Sequence, residues 1–560
     1  MKIQEKIKKW IKETLEIEGD FVLAHPKDLK NGDYSFFATS KLSAKASTPE
    51  EAVNILNENK IPEIEKIEVV GKFINFYLSK GFFVDSVKEI LDKKENYGKN
   101  NLLEGQKILI EHTQPNPFKE FHIGHLMNNA VGESVFRILD ANGAEITAVG
   151  YHGDVGLHVA KTIWGKMQKP ELSWGEAYAY GSQNFDDHKI EITEINKKVY
   201  EKSDQEINKL YENGKKDCLD YFESLYKRLD SHFDFHFFES ETGEVGQALV
   251  MQNVGKVFEN GEGGAVIFKG ENFQPQTHTR VFINSEGIPT YEAKEVGLAK
   301  IKKEKYDYDK SITVTANEQD AFFDVTEVAI GEVRPELKGK LKHLSHGMLR
   351  LPSGKMSSRT GEVITAENLI EQVKEKVFEK IKDREFDENE KQEIAEIVAV
   401  GAIKYSVLRQ AIGGDIIFDF DKSISFEGDS GPYLQYACVR ANSVLEKAKA
   451  AKMISSVGFA DFPSENTTLE IILAASATEL EKILYRFEEV VERAGQEYAP
   501  HHIVTYLTEL ASVFNSFYAN NKIIDGSDTT SPYKIALTTA VAHTLRSGLH
   551  ILGIKVPEKM

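Results

Sequence analysis

Cysteine is nearly absent from this sequence: Cys218 and Cys438 are the only two in 560 residues. A disulfide framework is therefore not expected, and thiols alone cannot complete a four-ligand zinc site, so no zinc is expected either. Long apolar runs are missing too. None approaches the roughly 18 residues that suggest a membrane span, so no membrane partner is expected. The N-terminus does not read as a signal peptide. Ile3, Ile7, Ile11 and Leu15 recur every four positions among Lys and Glu, the spacing of an amphipathic helix. The missing export signal points to the cytoplasm. An excess of positive charge is the last absence: 69 Lys and Arg stand against 88 Asp and Glu, for a net charge of −19. Non-specific nucleic-acid affinity comes from basic side chains neutralising phosphates, so the balance argues against indiscriminate coating of RNA or DNA. It leaves room for one shaped, locally basic surface.

What is present is the mix of an ordinary globular chain, 41% hydrophobic and 28% charged, long enough for two to four domains. Residues 1–100 mix helix and strand. Thr48-Pro49-Glu50-Glu51 is a helix start, with Thr as N-cap and Pro at the first helical position. Lys66 to Val70 and Phe73 to Leu78 read as strands joined by a turn at Gly71-Lys72. The polar stretch from Lys93 to Asn101 is a candidate linker.

Residues 101–385 change to alternating strand and helix. Lys107 to Thr113 reads as a strand. A helix is expected from near Leu126, where Met127, Val131, Val135 and Leu139 share one face, to the cap at Asn142-Gly143. Glu145 to Gly150 returns as a strand, giving one βαβ unit of a doubly wound parallel, Rossmann-like sheet. Residues 165–240 read as a helical insertion. Ala265 to Phe268, Arg280 to Ile283 and Ser311 to Thr315 are candidates to complete the sheet. Residues 386–560 read as all-helical: Ile394, Ile397, Val398, Tyr405 and Leu408 mark one face, and Ile503, Leu507, Leu510, Phe514 and Phe517 another.

Chemistry concentrates in two places. His122-Ile123-Gly124-His125 falls where the first strand's loop enters its helix. Two histidines three apart there share a face, and the helix start offers free N–H groups and partial positive charge to a phosphate. Gly124 has no side chain, so a base or ribose can approach its backbone. Alone, the tetrapeptide reads equally well as two surface histidines beside a turn. The second place is Lys355-Met356-Ser357-Ser358-Arg359, flanked by Gly354 and Gly361. A glycine-bounded loop with Lys, two hydroxyls and Arg can close over a triphosphate, although any single run of this kind is also a solvated basic turn.

Together these motifs resemble the signature pair of class I aminoacyl-tRNA synthetases, and neighbouring segments resemble the arginyl branch. Those segments are Glu111-His112-Thr113-Gln114-Pro115-Asn116-Pro117-Phe118-Lys119, His152-Gly153-Asp154-Val155-Gly156, the lysine loop ending in Arg359, Ser425 to Ala437, Gly71 to Phe76, and the C-terminal Leu552 to Met560. Three positions depart from the pattern. Thr113-Gln114 replaces small hydroxyl residues, Val155 replaces Trp, and Glu295 stands where Asp is usual. A small-molecule nucleotidyltransferase or another class I synthetase are the competing readings. The first has no use for the helical region, and the second lacks the segment around Tyr433.

The resemblance implies that arginine carboxylate is joined to the ATP α-phosphate, and the arginyl group is then moved to the terminal ribose of tRNA(Arg). It implies ATP with Mg2+ and a monomer, and it implies that activation requires tRNA. By the same resemblance, 1–100 contacts tRNA and 386–560 binds the anticodon. His122, His125 and Lys355 are the catalytic candidates. Gly124, Met356, Ser357, Ser358 and Arg359 join them in ATP binding. Gln114, Asn116, Lys119, Tyr291, Glu295 and Gln319 are candidates for arginine, and Tyr433 and Gln435 for tRNA.

Overall fold

The computed structural model describes residues 2–38, 43, 45–350, 365–453 and 466–560. By packing, the chain divides into two compact units. The first gathers Met1–Gly98, Ala437–Glu489 and Tyr506–Ser547; the second gathers Lys99–Tyr436, Val490–Thr505 and Gly548–Met560.

In the first unit the elements run α1 (Ile3–Leu15), β1 (Tyr34–Phe37), α2 (Pro49–Glu58), β2 (Ile64–Val70), β3 (Phe73–Leu78) and α3 (Lys80–Lys93). Ile7, Ile11 and Leu15 are fully buried, so the four-residue spacing of α1 is its core-facing stripe. Each such burial contributes roughly 1.5–3 kcal/mol. The α2 N-cap forms as its sequence requires, with Thr48 Oγ1 accepting from the Glu51 N–H at 3.2 Å. β2 and β3 make an antiparallel hairpin across Gly71, and β1 pairs on the other side of β3. Trp10, Tyr34, Phe36 and Phe76 share one core with Tyr485 from the helical region.

The second unit is built on β4 (Lys107–Glu111), α4 (Ile123–Ala141), β5 (Glu145–His152), β6 (Phe235–Phe238), β7 (Glu259–Asn260), β8 (Val266–Phe268), β9 (Arg280–Ile283), β10 (Lys310–Ala316) and β11 (Leu341–His346). Its helices are α5 (Leu157–Gln168), α6 (Trp174–Gln183), α7 (Lys189–Glu201), α8 (Gln205–Arg228), α9 (Glu239–Gln252), α10 (Tyr291–Lys305) and α11 (Asp320–Val333). The sheet is parallel throughout, in the order β11-β10-β4-β5-β6. The chain winds outward from β4 to β6 on one side, then returns to β10 and β11 on the other. The order reverses between β4 and β10, and the crevice beyond their carboxyl ends is where such sheets bind ligands.

Three expectations change. The stretch read as an insertion contains β6, an edge strand of the main sheet, because the four residues Phe235-His236-Phe237-Phe238 are too few to carry a period that separates strand from helix. β8 and β9 do not complete that sheet; with β7 they form a separate antiparallel one. Strand pairing also continues past residue 385, since Ile416–Ile417 runs parallel to Leu349–Arg350. Otherwise the described C-terminal region is helical, and Ile394, Val398, Tyr405, Ile503, Leu507, Leu510 and Phe514 lie in its interior as their spacing requires. No helix among the described residues is long and apolar enough to cross a membrane.

Candidate active site

α4 begins at Ile123, three residues before the expected start near Leu126, because His122 is its N-cap. His122 Nδ1 accepts from the Gly124 N–H at 3.1 Å, and His125 Nδ1 accepts from the His122 N–H at 3.2 Å. This is a capping box made of two imidazoles in place of Ser/Thr and Glu. Backbone N–H groups only donate, so both Nδ1 atoms are bare acceptors, and each neutral ring carries its proton on Nε2. The rings stack with centroids 3.6 Å apart. Burial, then the nearby Lys119 charge, holds His122 below the usual histidine range. His125 lies further below, through burial first and His122 second. The pair therefore offers two neutral N–H donors at a helix start. The space over Gly124 is not open to a base, since a Cβ there would lie 2.9 Å from the His122 ring.

The loop leading to His122 is strained. Thr113, Gln114 and Phe118 have φ of +72°, +48° and +69°, left-handed values that cost about 1–3 kcal/mol each and collect at functional sites. The loop is held from several directions. Thr113 Oγ1 meets His112 Nδ1 and Asn129 Nδ2 at 2.7 and 3.1 Å, and the Phe118 N–H donates to Cys218 Sγ at 3.2 Å. Asn116 Oδ1 accepts from the Gly153 N–H at 3.1 Å. A Cβ on Gly153 would lie 2.5 Å from Asn116 Oδ1 and 3.1 Å from Glu239 Oε1, so these two groups meet over the glycine.

Asn116, Lys119 and His122 are thus brought together with Glu239 at the start of α9. Burial raises the Glu239 carboxyl, and Lys294, 2.6 Å away, opposes the rise. Burial lowers the Lys119 ammonium, with Glu239 acting against it. Tyr291 opens α10 and is 65% exposed, with the Lys294 ammonium 5.2 Å from its ring centroid. Glu295 belongs to a deeper group. It is buried with Glu111 and Lys302, which form an ion pair at 2.5 Å, and Gln114 donates to Glu111. Burial raises Glu295 to about 7, with Lys302 pulling it down and Glu111 pushing it up. Gln319 is exposed just beyond the carboxyl end of β10.

Val155, where Trp is usual, packs in a core with Phe118, Val159 and Trp164. One other placement differs from the sequence reading. Gln435 is fully buried and donates to the carbonyls of Lys555 at 2.7 Å and Ile397 at 3.3 Å, so it is a packing group with no surface to offer tRNA. Tyr433 is half-buried near the start of its helix. Lys355, Met356, Ser357, Ser358 and Arg359 lie outside the described residues. Glu239, Lys294 and Lys302 were missed by sequence reasoning. An acid ending the apolar run Phe235 to Phe238 was the available signal for Glu239. Lys294 stood unremarked between Tyr291 and Glu295. Among the described residues no group of three or more His, Cys, Asp or Glu side chains is arranged to hold a metal ion. Mg2+ arriving on a triphosphate needs no such cage, because it keeps its waters and phosphate oxygens.

The family model "tRNA synthetases class I (R), catalytic domain" matches residues 86–420. With a parallel sheet carrying paired histidines at its switch point, this defines a class I aminoacyl-tRNA synthetase. "Arginyl tRNA synthetase N terminal domain" matches 1–78, and "DALR anticodon binding domain" matches 434–560. A protein from Borrelia turicatae named arginine–tRNA ligase is 31% identical over 100% of this chain and 99% of its own. One of the same name from Treponema denticola is 30% identical over 96% of this chain and 94% of its own. The chain belongs to the arginyl-tRNA synthetase family. A solved arginyl-tRNA synthetase from Thermus thermophilus shares the fold, with a TM-score of 0.81 at 23% identity over the full length of both chains. One from Plasmodium falciparum has a TM-score of 0.77 at 19% identity, covering 100% of this chain and 99% of that one.

Proposed function

We infer that the chain is an arginine–tRNA ligase, which activates L-arginine with ATP as arginyl-adenylate and transfers it to the 3′ end of tRNA(Arg). The observation that carries the chemistry is the neutral, stacked His122–His125 pair at the start of α4. In the first step the arginine carboxylate attacks the α-phosphorus and pyrophosphate leaves. Catalysis of such a step is positioning plus stabilisation of charge on the phosphate oxygens. The two Nε2–H groups donate to those oxygens without being lost as free protons. Lys355 takes the departing pyrophosphate, and Met356, Ser357, Ser358 and Arg359 complete the ATP contacts. ATP brings Mg2+ on its phosphates.

The arginine α-ammonium sits at Asn116 Oδ1, whose second lone pair accepts it, and Lys119 faces the carboxylate or phosphate. The side chain runs past Tyr291 and Gln319 toward Glu295; Gln114, expected with Asn116 at the α-amino end, donates instead to Glu111 and joins the side-chain end. Residues 1–100 contact tRNA, 101–385 carry the chemistry and 386–560 bind the anticodon, with Tyr433 at that surface. The enzyme acts as a cytoplasmic monomer. Incubating the protein with total tRNA, ATP and each amino acid in turn tests the reading. Arginine alone should be charged; efficient charging with another amino acid and none with arginine overturns it.

A further inference from the structure

His152 and His236 have no part in the roles given above, yet they reach the substrate loop through an ordered chain of hydrogen bonds. His152 ends β5 and is fully buried. Its Nδ1 lies 2.7 Å from the Pro115 carbonyl oxygen. A carbonyl only accepts, so Nδ1 carries the proton. Burial, reinforced by His236, lowers His152 to about 3, so the ring is neutral and its Nε2 is a bare acceptor. His236 on β6 brings its Nδ1 to 3.0 Å from that Nε2 and must therefore donate to it. The far nitrogen of His236 faces the Glu223 carboxylate on α8 at 3.3 Å; a carboxylate only accepts, so both neighbours are satisfied when His236 carries a proton on each nitrogen. Donation runs one way, from His236 to His152 to the Pro115 carbonyl.

β5 itself leaves room for this pairing. A Cβ on Gly150 would lie 2.5 Å from His236 Nδ1 and 3.0 Å from His152 Nε2. The carbonyl it grips belongs to the residue between left-handed Gln114 and Asn116. Without a fixed donor at that carbonyl, a loop with three left-handed residues has reason to relax.

We propose that His152 is a positioning residue for arginine, locked by His236 in the Nδ1–H tautomer so that it fixes the Pro115 carbonyl and aims Asn116 at the substrate. The proposal rests on the reading of Asn116 as an arginine contact. Its effect is on binding geometry rather than on phosphate chemistry. His152→Leu fills the volume without a donor, and arginine KM should rise about tenfold or more. KM for ATP should stay within about twofold, since the α4 donors are untouched. His152→Asn places an amide N–H near the position of Nδ1 and should recover most of the arginine affinity, which a volume effect alone would not predict. His236→Phe removes the tautomer lock from a position that is not fully buried, so it tests the idea even if His152→Leu fails to fold. It should raise arginine KM by a smaller factor.

A 15N spectrum of labelled histidines should contain an Nδ1–H signal that disappears in His152→Asn. If Asn116→Ala raises arginine KM but His152→Leu and His236→Phe leave it within about twofold, the proposal falls and the Asn116 reading stands. If Asn116→Ala itself leaves arginine KM unchanged, both fall. An Nε2–H tautomer at His152 also overturns it.

Discussion

A histidine whose Nδ1 is occupied by a backbone N–H has one nitrogen left to offer, and His122 and His125 are both in that position. Nothing about the ring then needs rearranging as negative charge grows on a phosphate. Loss of one such preorganised donor typically slows turnover ~100–1000-fold. His125→Ala should do so in steady-state arginine activation while arginine KM stays nearly unchanged; near-normal turnover would remove His125 from the catalytic set. Glu295 is the opposite kind of residue, an acid whose charge is in play. Burial raises it to about 7, while Lys302 pulls it down and Glu111, Glu327 and Glu239 push it up. Only the carboxylate form pairs with a guanidinium, through two parallel N–H···O bonds. The raised group is mostly protonated below its midpoint and charged above it. Arginine KM should therefore fall as pH rises from about 6 to about 8. Glu295→Gln should raise arginine KM steeply, flatten that pH dependence and spare the KM for ATP. If arginine KM changes less than about twofold, the guanidinium partner is another acid, and Glu239 is next in line.

Elements whose signal is local were legible in the sequence. α1 follows from four apolar residues at one spacing, α2 from Thr48-Pro49, and β4–α4–β5 from two short apolar runs around a capped helix. The N-terminus of α4 was misjudged by three residues because a histidine ring nitrogen does the capping that Ser, Thr, Asp or Asn usually does. Strand partners were not legible, since pairing β8 with β9 instead of β10 depends on where the chain travels between them. The site divided in the same way. Its described motif residues sat in one stretch, 114–125, whereas Glu239 and Lys294 arrive from α9 and α10 and meet only in space. Asp154 shows how such distant elements are fastened. It is fully buried, and it accepts from Lys215 Nζ and Tyr211 Oη of α8 at 2.7 Å and from Ser240 N and Oγ of α9 at 2.9 and 2.7 Å. Burial raises its carboxyl, but Lys215 and Ser240 outweigh that and leave it lowered. Asp154→Ala strands the Lys215 ammonium, which should cost about 3–5 kcal/mol. The denaturation midpoint should fall with an unchanged slope; a loss under about 1 kcal/mol would mean that water replaces the carboxylate.

Across the whole molecule, the helices Phe487–Glu497, His501–Asn520 and Ser531–Ile551 each supply residues to both compact units. If the helical region holds tRNA, as proposed above, the tRNA bears on segments that are also part of the catalytic unit. Inside that unit the connection continues through α4. Lys404 is fully buried and donates to the Gly553 and Leu229 carbonyls at 2.8 and 2.5 Å. Burial lowers it to about 8, with Glu133 holding its charge. Glu133 accepts from Arg137 Nε at 2.7 Å, and Arg137 Nη1 donates to the His550 carbonyl at 3.0 Å. The end of the last helix is thus bonded to α4, the helix whose first turn carries His122 and His125. A shift of that end is expected to bias the orientation of both donors, since a bonded element of this kind is how a bound partner changes a distant equilibrium. Arginine-dependent pyrophosphate exchange should be slow without tRNA and rise by roughly tenfold or more when tRNA(Arg) is added, a typical size for coupling between sites. Lys404→Met should keep most of the affinity for tRNA while losing much of that stimulation, because it removes the bond to Gly553 without touching a tRNA-facing surface. Exchange that is already rapid without tRNA would sink the coupling outright. Stimulation that survives Lys404→Met intact would leave it to another path.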